Sequence, residues 1–467
     1  MVIYDFLVIG SGPSATGFLS SSKLVNKKVC VVDSSFKYKN EFSVALPEHN
    51  LFKLHDINNK GYFGQSDATT KKHSADEIQG LKISNSLMAG GLSNVWGSAC
   101  TSYSKETLSK MGLNHNISKQ KHFIEDLLRV SDYELQNDTL EFQIFKKLSV
   151  KDSCNFVKKA RLAINHETCT KCGICLYGCP QKSIYNSYPD FLRFSSRHDK
   201  YLNFYVENIN QIGKKWAVNI INNSTHEKIQ LITKKLILGC GAINTSKLLI
   251  KSIPFISSIQ LSDSQCFYFP IFYGAANKSC NKSNELLELT NFFIESKYQN
   301  AEIHGQFYRS GPYVRNQIKK MLGLNLQILN PLFRRLFMYQ GYLPSNKSST
   351  GEFIKSPDGK ISFQIKNYYD DLYLKSFIKK ITGDLGKFGL YTPKFLTKTL
   401  PIYAGYHFGS IKIKYKNQLV LPNTSSGLIP NIPNLHIIDA SIFNEIPSGP
   451  FTIYVMANAK FIADSIL

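Results

Sequence analysis

The first seventeen residues constrain the fold most, because they join an apolar strand to a glycine turn and a helix of small residues. They read Asp5-Phe-Leu-Val-Ile-Gly10-Ser-Gly12-Pro-Ser-Ala15-Thr-Gly17. Gly10 permits a tight turn, Gly12 lets the backbone approach a pyrophosphate, and Ala15 allows the helix to pack closely on the strand. The pattern predicts a dinucleotide-binding unit; a structural turn in another α/β unit is the alternative interpretation.

A second apolar strand, Lys28–Val32, ends on Asp33, 23 residues after Gly10. An acid at this point can accept a hydrogen bond from a ribose hydroxyl. A further strand and helix, Lys235–Gly239 and Gly241–Leu249, are expected where a doubly wound sheet closes on its ligand, with Thr245 as a candidate N-cap. We therefore predict an α/β fold with a parallel sheet.

Residues 255–400 have a different texture, with short aromatic strands such as Phe267–Tyr273 and His304–Tyr308 between polar loops. This texture favours an antiparallel sheet that forms a separate, substrate-facing layer. A helix from about Leu372 to Phe388 would place its apolar residues on one face. Residues 202–220 predict a β-hairpin.

The chain is strongly basic, with 56 Lys and Arg against 34 Asp and Glu and a net charge of +22. Such a surface attracts nucleic acid, anionic membranes or phosphorylated substrates. No nucleic-acid-binding motif accompanies the charge, so we expect no nucleic-acid partner, and a solvated lysine-rich surface is the simplest explanation. The segment Arg315–Phe337 mixes basic and apolar residues and could contact a membrane peripherally. Pro331 interrupts this segment and favours a packed, basic-rimmed helix pair.

The first apolar stretch is already the nucleotide strand, so we expect no secretory signal. The sequence has no apolar run of about 18 residues, so we also expect no membrane-spanning helix. Ten cysteines without such a signal predict reduced thiols and a cytoplasmic protein, with peripheral attachment at the inner face of the membrane as an alternative.

Four of the cysteines follow the spacing C-x₂-C-x₂-C-x₃-C-P, at Cys169, Cys172, Cys175 and Cys179. Bacterial ferredoxins bind [4Fe-4S] clusters with this spacing. In those ferredoxins the fourth cysteine of the run binds the second cluster of a pair. Only one such run exists here, so the fourth thiolate of a single cluster would come from Cys179 by a different route or from Cys154. The cluster would pass electrons singly to a one-electron carrier. The alternative is a reduced, packed cysteine loop without metal.

Four separated pieces of the chain resemble, in the right order, the glucose–methanol–choline oxidoreductases, flavoproteins that oxidise alcohols and sugars. The pieces are the Gly10–Ala15 turn with Asp33, the loop Gly90–Gly97, the segment Gly241–Leu249, and a C-terminal block comprising Tyr406–Ser410, Asn434–Ile442 and Ser448–Asp464. The cysteine stretch resembles that of cholesterol-oxidase-like and long-chain alcohol oxidase-like members. The resemblance implies bound FAD.

The resemblance also implies a Rossmann-like FAD domain built from residues 1–254 and 401–467, with a cysteine-rich insertion at about 151–190. Residues 255–400 would bind substrate. The residues expected around FAD are Gly10, Gly12, Ala15 and Asp33 at the ADP half, Gly91, Ser93, Asn94 and Trp96 at the pyrophosphate and flavin ring, Val206 at adenine, Gly241, Asp439 and Ala440 near the ribityl chain and its phosphate, and Pro450 and Thr452 at the C-terminal helix. Pro450 would lie in the first turn of that helix.

His407 resembles the active-site histidine of the family, and an imidazole can take the hydroxyl proton while hydride moves to flavin N5. The family normally places a second His or Asn beside it, and this sequence has Gly449 there. Glycine donates no side-chain hydrogen bond. A residue of the variable domain could supply that group, a shifted register could bring Asn444 or Ser448 into place, or the activity could be altered.

The leading hypothesis is therefore an FAD-dependent dehydrogenase of an alcohol or sugar hydroxyl, with a phosphorylated or lipid-linked sugar suiting the positive charge. One alternative is a flavin and iron–sulfur reductase of an unsaturated substrate. Another is a degenerate, non-catalytic flavoprotein scaffold, which the glycine at position 449 would suit.

Overall fold

The structure is a computed structural model that describes residues 2–35, 86–94, 96–149, 155–173, 175, 179, 181–274, 289–310, 335–392, 398–399 and 408–466. The helices are α1 (Pro13–Leu19), α2 (Lys105–Lys110), α3 (Ser118–Leu127), α4 (Leu140–Leu148), α5 (Ser187–Phe194), α6 (Ala242–Ser252), α7 (Asp371–Gly386) and α8 (Thr452–Ile466). The strands are β1 (Ile3–Ile9), β2 (Val29–Asp33), β3 (Val130–Asp132), β4 (Asn155–Lys159), β5 (Arg161–Ala163), β6 (Asp199–Leu202), β7 (Phe204–Ile212), β8 (Lys215–Asn222), β9 (Lys228–Leu238), β10 (Ile256–Ser262), β11 (Cys266–Tyr273), β12 (Thr290–Tyr298), β13 (Ala301–Arg309), β14 (Leu336–Tyr342), β15 (Thr350–Lys355), β16 (Ile361–Asn367), β17 (Leu390–Tyr391), β18 (Lys398–Thr399), β19 (Gly409–Tyr415), β20 (Gln418–Val420), β21 (Leu428–Ile429) and β22 (Ile432–Ile437).

A parallel sheet with strand order β22–β9–β1–β2–β6 holds the two ends of the chain together. Strands β1 and β2 are buried along most of their length, as expected for parallel strands covered on both faces. Helix α8 packs against α1 so closely that a Cβ at Gly17 would overlap with the backbone of Met456. The predicted hairpin is confirmed as β7 and β8, and β8 joins it to β9.

The remaining sheets are antiparallel. The first has the order β16–β15–β10–β19–β20, and the second has the order β17–β11–β14–β13–β12–β4, with β18 beside β11. The third consists of β3 and β5 alone. The predicted strands at 267–273 and 304–308 are confirmed within β11 and β13. The predicted helix at 372–388 is confirmed as α7, whose buried face packs on this second sheet. Strand β4, which precedes the four cysteines in the chain, forms an edge of the same sheet by pairing with β12.

Two predicted helix starts are wrong. Gly241, with φ +81°, is the N-cap of α6, so Thr245 lies inside the helix instead of capping it. Helix α8 begins at Thr452, and the carbonyl of Phe451 accepts its first hydrogen bond from the N–H of Val455. Pro450 therefore precedes the helix, and its carbonyl accepts a hydrogen bond from the Tyr103 hydroxyl at 2.9 Å.

Several predictions fall on residues that the structure does not describe. Most of Arg315–Phe337, with its predicted membrane contact, lies outside the described residues, as do Cys154 and His407. In the part of the chain that the structure describes, no helix has the length and apolar character needed to cross a membrane.

Candidate functional site

Glycine turns from separate parts of the chain meet where strands β1 and β9 end. Gly10 has φ +110°, and a Cβ there would overlap with the carbonyl of Gly239. A Cβ at Gly91, where φ is +57°, would lie 3.4 Å from the Cα of Gly12. The backbone N–H of Gly90 donates to the Ser11 hydroxyl at 2.9 Å. The predicted glycine positions are therefore brought together, and at Gly10 only glycine allows so close a backbone approach.

A serine network fastens these turns to the start of α5. The Ser93 hydroxyl donates to the carbonyl of Gly90 at 2.6 Å and accepts from the N–H of Ser187 at 3.0 Å. The Ser187 hydroxyl lies 3.2 Å from the carbonyl oxygen of Ser11 and 3.1 Å from that of Gly90. Ser11, Ser93 and Ser187 are all buried. The sequence analysis identified Ser93 but missed Ser11 and Ser187, whose role depends on contacts between distant segments.

Asp33 ends strand β2 beside this junction, and its side chain is almost fully buried. Its Oδ1 accepts hydrogen bonds from the N–H and the hydroxyl of Ser35, each at 2.7 Å. Burial raises the pKa of the carboxyl to about 6, and the hydrogen bonds from Ser35 and Ser11 oppose that rise. Because burial raises the pKa of this carboxyl, any further donor, such as a ligand hydroxyl, would stabilise its ionised form.

Asn94 and Trp96 stabilise the loop in which they were predicted to line the cofactor. The Asn94 amide donates to the carbonyls of Ala89 and Gly91 at 2.9 and 2.7 Å. Its Oδ1 accepts from the Asn186 amide at 2.6 Å. The Trp96 indole N–H donates to the carbonyl of Tyr185 at 2.8 Å. Their polar atoms thus bind the protein itself, which leaves the flat face of the indole for packing.

Asp439 connects the C-terminal block to α6. Its carboxylate accepts hydrogen bonds from the Thr245 hydroxyl at 2.5 Å and from the N–H of Ser441 at 2.9 Å. Burial raises the pKa of the Asp439 carboxyl, although these hydrogen bonds act to lower it. The carbonyl of the next residue, Ala440, would lie 2.5 Å from a Cβ at Gly409. A Cβ at Gly241 would meet no atom within 4 Å, so the backbone there borders open space.

Val206, the position predicted near adenine, is buried in β7 opposite Ile220. The hairpin formed by β7 and β8 is tied to the end of β2, because the Asn223 amide donates to the carbonyl of Ser34 at 3.0 Å. Val206 therefore belongs to an element that is attached to the segment carrying Asp33.

Gly449 lies against an imidazole from the antiparallel sheet. Its φ is +109°, and a Cβ there would lie 2.8 Å from both Cδ2 and Cγ of His304. The N–H of His304 donates to the Ser448 hydroxyl at 2.9 Å, and that hydroxyl donates to the carbonyl of Tyr342 at 2.5 Å. The imidazole of His304 therefore fills the space that a side chain at position 449 would occupy. The sequence analysis placed His304 in a strand but did not identify it as a site residue.

Polar side chains continue from His304 in both directions. Its Nδ1 lies 2.9 Å from Oε1 of Glu295, which also accepts from the Thr101 hydroxyl at 3.3 Å. Its Nε2 lies 3.3 Å from Nε2 of Gln306, whose Oε1 accepts from the Tyr308 hydroxyl. The alternation of residues 304, 306 and 308 along one strand was a signal that could have revealed this buried row.

The carboxyl of Glu295 is ionised more readily than burial alone would allow. Burial acts to raise its pKa, but the charge of His304 and the hydrogen bond from His304 outweigh this effect, so the pKa is lowered. Lys158 and Thr101 act in the same direction. The neighbouring imidazole of His304 thus makes the buried Glu295 carboxyl more acidic than burial alone would allow.

The cysteine stretch gives the predicted [4Fe-4S] cluster no support. Across the described residues, which include Cys169, Cys172, Cys175 and Cys179, no three metal-ligating side chains converge. The sulfur of Cys179 accepts a hydrogen bond from the N–H of Ser183 at 3.2 Å. Cys169 and Cys175 pack against a small apolar cluster, and burial raises the pKa of the Cys169 thiol.

Comparison with known proteins supports the fold. No family model matches the chain, and no curated protein matches it. Among solved structures, it is similar to pyridoxine 4-oxidase from Mesorbium loti, with a TM-score of 0.60 over 99% of both chains. The two sequences are 10% identical, so the likeness concerns the fold alone.

Proposed function

We propose that the protein is an FAD-dependent oxidoreductase that oxidises an alcohol or sugar hydroxyl. The observation that carries the proposal is the junction of the Gly10–Gly12 and Gly90–Gly91 turns beside buried Asp33. The fold it shares with pyridoxine 4-oxidase supports this, since that relative's name describes an oxidase acting on pyridoxine. The ordered glucose–methanol–choline motifs supply the third line of support.

The residues at the junction fit FAD. Gly10, Gly12 and Gly91 present bare backbone where a pyrophosphate needs close approach, and open space borders Gly241. Asp33 would accept the ribose hydroxyls. The serine network of Ser11, Ser93 and Ser187 would hold the two turns at a fixed spacing. In such a Rossmann-like site, FAD would supply the acceptor for a hydride, at flavin N5.

The protein must supply the rest of the chemistry, which is to orient the alcohol and remove its hydroxyl proton. His407 is the residue that we propose as the proton acceptor, on the resemblance of its surrounding motif. A positioned general base of this kind contributes roughly 10²- to 10⁴-fold to a rate. The His407→Ala variant should therefore bind FAD normally and be reduced by substrate about 100-fold more slowly or worse.

The experiment that tests the function begins with the absorbance spectrum of protein reconstituted with FAD under anaerobic conditions. A panel of alcohols, polyols, free and phosphorylated sugars and pyridoxine is then added, and bleaching of the oxidised flavin band is followed. Bleaching by an alcohol with release of the corresponding carbonyl supports the proposal. Protein that binds no FAD, or bound flavin that no member of the panel bleaches, refutes it.

A further inference from the structure

One end of the five-stranded antiparallel sheet holds an aromatic side chain out in solvent. Strands β10 and β19 pair there so that Ile256 lies opposite Tyr415, and the chain turns from β19 into β20 through Lys416 and Asn417. Phe255, the residue before β10, is 57% exposed. Its ring meets that of Tyr415 edge-on, with 6.1 Å between the ring centroids. We call this end of the sheet, from Phe255 to the turn at 416–417, the sheet tip.

The hairpin of β19 and β20 adds a second exposed apolar side chain. Leu419 is 56% exposed and lies directly opposite Lys414. Because a strand rises about 3.3 Å per residue, Leu419, two residues beyond the turn, lies within about 7 Å of the tip. The Nζ of Lys416 lies 4.8 Å from the ring centroid of Phe255 and 5.6 Å from that of Tyr415. A lysine placed in this way keeps its apolar stem on the rings and its charge in water.

Basic residues surround these apolar side chains. The registers of β10 with β15 and of β15 with β16 bring the turn at 356–360 to the same end of the sheet, and α6 ends just before Phe255. In these described segments Asp358 is the one acid, and it is paired with Lys360 at 3.5 Å. The lysines at this end are Lys251, Lys355, Lys360, Lys414 and Lys416. The excess of positive charge has the same sign as the net charge of +22 for the whole chain.

We propose that the sheet tip docks on an anionic lipid bilayer, with the lysines at the headgroups and Phe255 and Leu419 in the boundary between headgroups and acyl chains. Lysines close to an anionic leaflet are attracted to it, and apolar side chains gain by leaving water. The tip is separate in sequence from Arg315–Phe337 and takes no part in the proposed FAD chemistry.

The apolar side chains distinguish a bilayer from other polyanions. A nucleic acid would also attract the lysines, and a base could stack on an aromatic ring, but Leu419 offers no π face for stacking. A bilayer accommodates both an aromatic and an aliphatic side chain. Two such residues make a shallow anchor, so binding should need anionic lipid and should weaken as salt screens the lysines.

The test is co-sedimentation of the full-length protein with vesicles of phosphatidylcholine, prepared with and without phosphatidylglycerol. We expect binding to the mixed vesicles only. Phe255→Ala should lower the partition coefficient roughly tenfold and Lys416→Gln roughly fivefold. The matched controls are Leu372→Ala, because Leu372 is 80% exposed on α7, and Lys375→Gln, because Lys375 is paired with Asp371. Both controls should bind as wild type does.

Two results of this experiment would overturn the inference. One is binding to the mixed vesicles that neither Phe255→Ala nor Lys416→Gln weakens. The other is absence of vesicle binding by wild type, and retention of a fluorescent duplex oligonucleotide by the same protein would then favour a nucleic-acid partner.

A second readout reports insertion directly. The indole of Phe255→Trp should be quenched by mixed vesicles with brominated acyl chains, whereas that of Leu372→Trp should not. Wild type, with Trp96 and Trp216, gives the background. Vesicle-bound Phe255→Trp that shows no quenching beyond this background would mean adsorption through charge alone and would overturn the inference.

Discussion

The hydroxyl of Thr245 donates a 2.5 Å hydrogen bond to the carboxylate of Asp439, across 194 positions of sequence. The bond connects the first turn of α6 to the C-terminal block, and both residues are buried. It therefore joins two segments that flank the proposed cofactor site, and its strength should influence both stability and FAD binding.

Replacing Thr245 with Val should destabilise the protein by about 1–3 kcal/mol, because a buried carboxylate loses a donor while the side-chain volume is kept. The measurement is chemical unfolding, with FAD affinity determined in parallel. Ser246→Ala is the matched control, since the neighbouring Ser246 hydroxyl is also buried but has no hydrogen-bond partner among the described residues. Equal losses in the two variants would show that the bond to Asp439 contributes nothing.

FAD binding should strengthen as pH rises from about 5 to 7. In the protein without nucleotide, burial raises the pKa of Asp33 to about 6, so the carboxyl is largely protonated at pH 5. Ribose hydroxyls donate to the ionised form and lower that pKa, so binding releases a proton in this window. Calorimetry in buffers of different ionisation enthalpy measures the release.

The Asp33→Asn variant should bind FAD more weakly at pH 7 and lose this pH dependence. Asp5→Asn is the control, because Asp5 lies at the other end of β1 and is paired with Lys234 on the surface. An Asp33→Asn variant that keeps the wild-type pH dependence would exclude Asp33 as its source.

Asp263 should make the protein less stable at alkaline pH. The carboxyl is fully buried, its Oδ2 has no partner among the described residues, and burial raises its pKa to about 7 against a hydrogen bond from Ser264. The native state therefore binds more protons than the unfolded state between about pH 4 and 7, and stability falls as pH rises through that window. The full cost above pH 7 is about 4 kcal/mol at most.

Asp263→Asn should consequently gain roughly 2–4 kcal/mol over wild type at pH 8 and little at pH 4, as measured by urea unfolding at both values. The exposed Asp358, whose pKa is lowered chiefly by a hydrogen bond from Ser356, provides a control in Asp358→Asn. A gain at pH 8 no larger than the gain at pH 4 would contradict the assignment.

The parts of the fold that could be predicted from sequence are those with a local physical signature. The first strand, its glycine turn and Asp33 follow from apolar runs and from backbone conformations that glycine favours, and the structure places them as expected. The short runs of aromatic residues between polar loops likewise predicted β11 and β13. These signals concern neighbours in the chain, where steric and burial effects act directly on the sequence pattern.

The contacts that could not be predicted join distant segments. Ser187 meets Ser11 across 176 positions, and His304 meets Ser448 across 144. Both depend on which strands and loops become neighbours and in what register, and a single sequence carries no direct record of either. The glycine at position 449 was visible as a departure from the family pattern, but its explanation is the imidazole of a strand in another sheet.

The contact between Gly449 and His304 should be visible as a coupling in stability. Gly449→Ala should destabilise the protein by about 1–3 kcal/mol, because the added Cβ collides with the imidazole and the φ of +109° disfavours any side chain. Only the collision disappears when His304 is also replaced by Ala. Gly449→Ala should therefore cost less in the His304→Ala background, by about 0.5–3 kcal/mol of coupling in a double-mutant cycle of unfolding free energies.

A parallel cycle with Gly359→Ala, where φ is +84° and a Cβ would meet no atom within 4 Å, should show backbone strain without coupling. Strict additivity in the Gly449 cycle would mean that the imidazole does not fill the space beside Gly449.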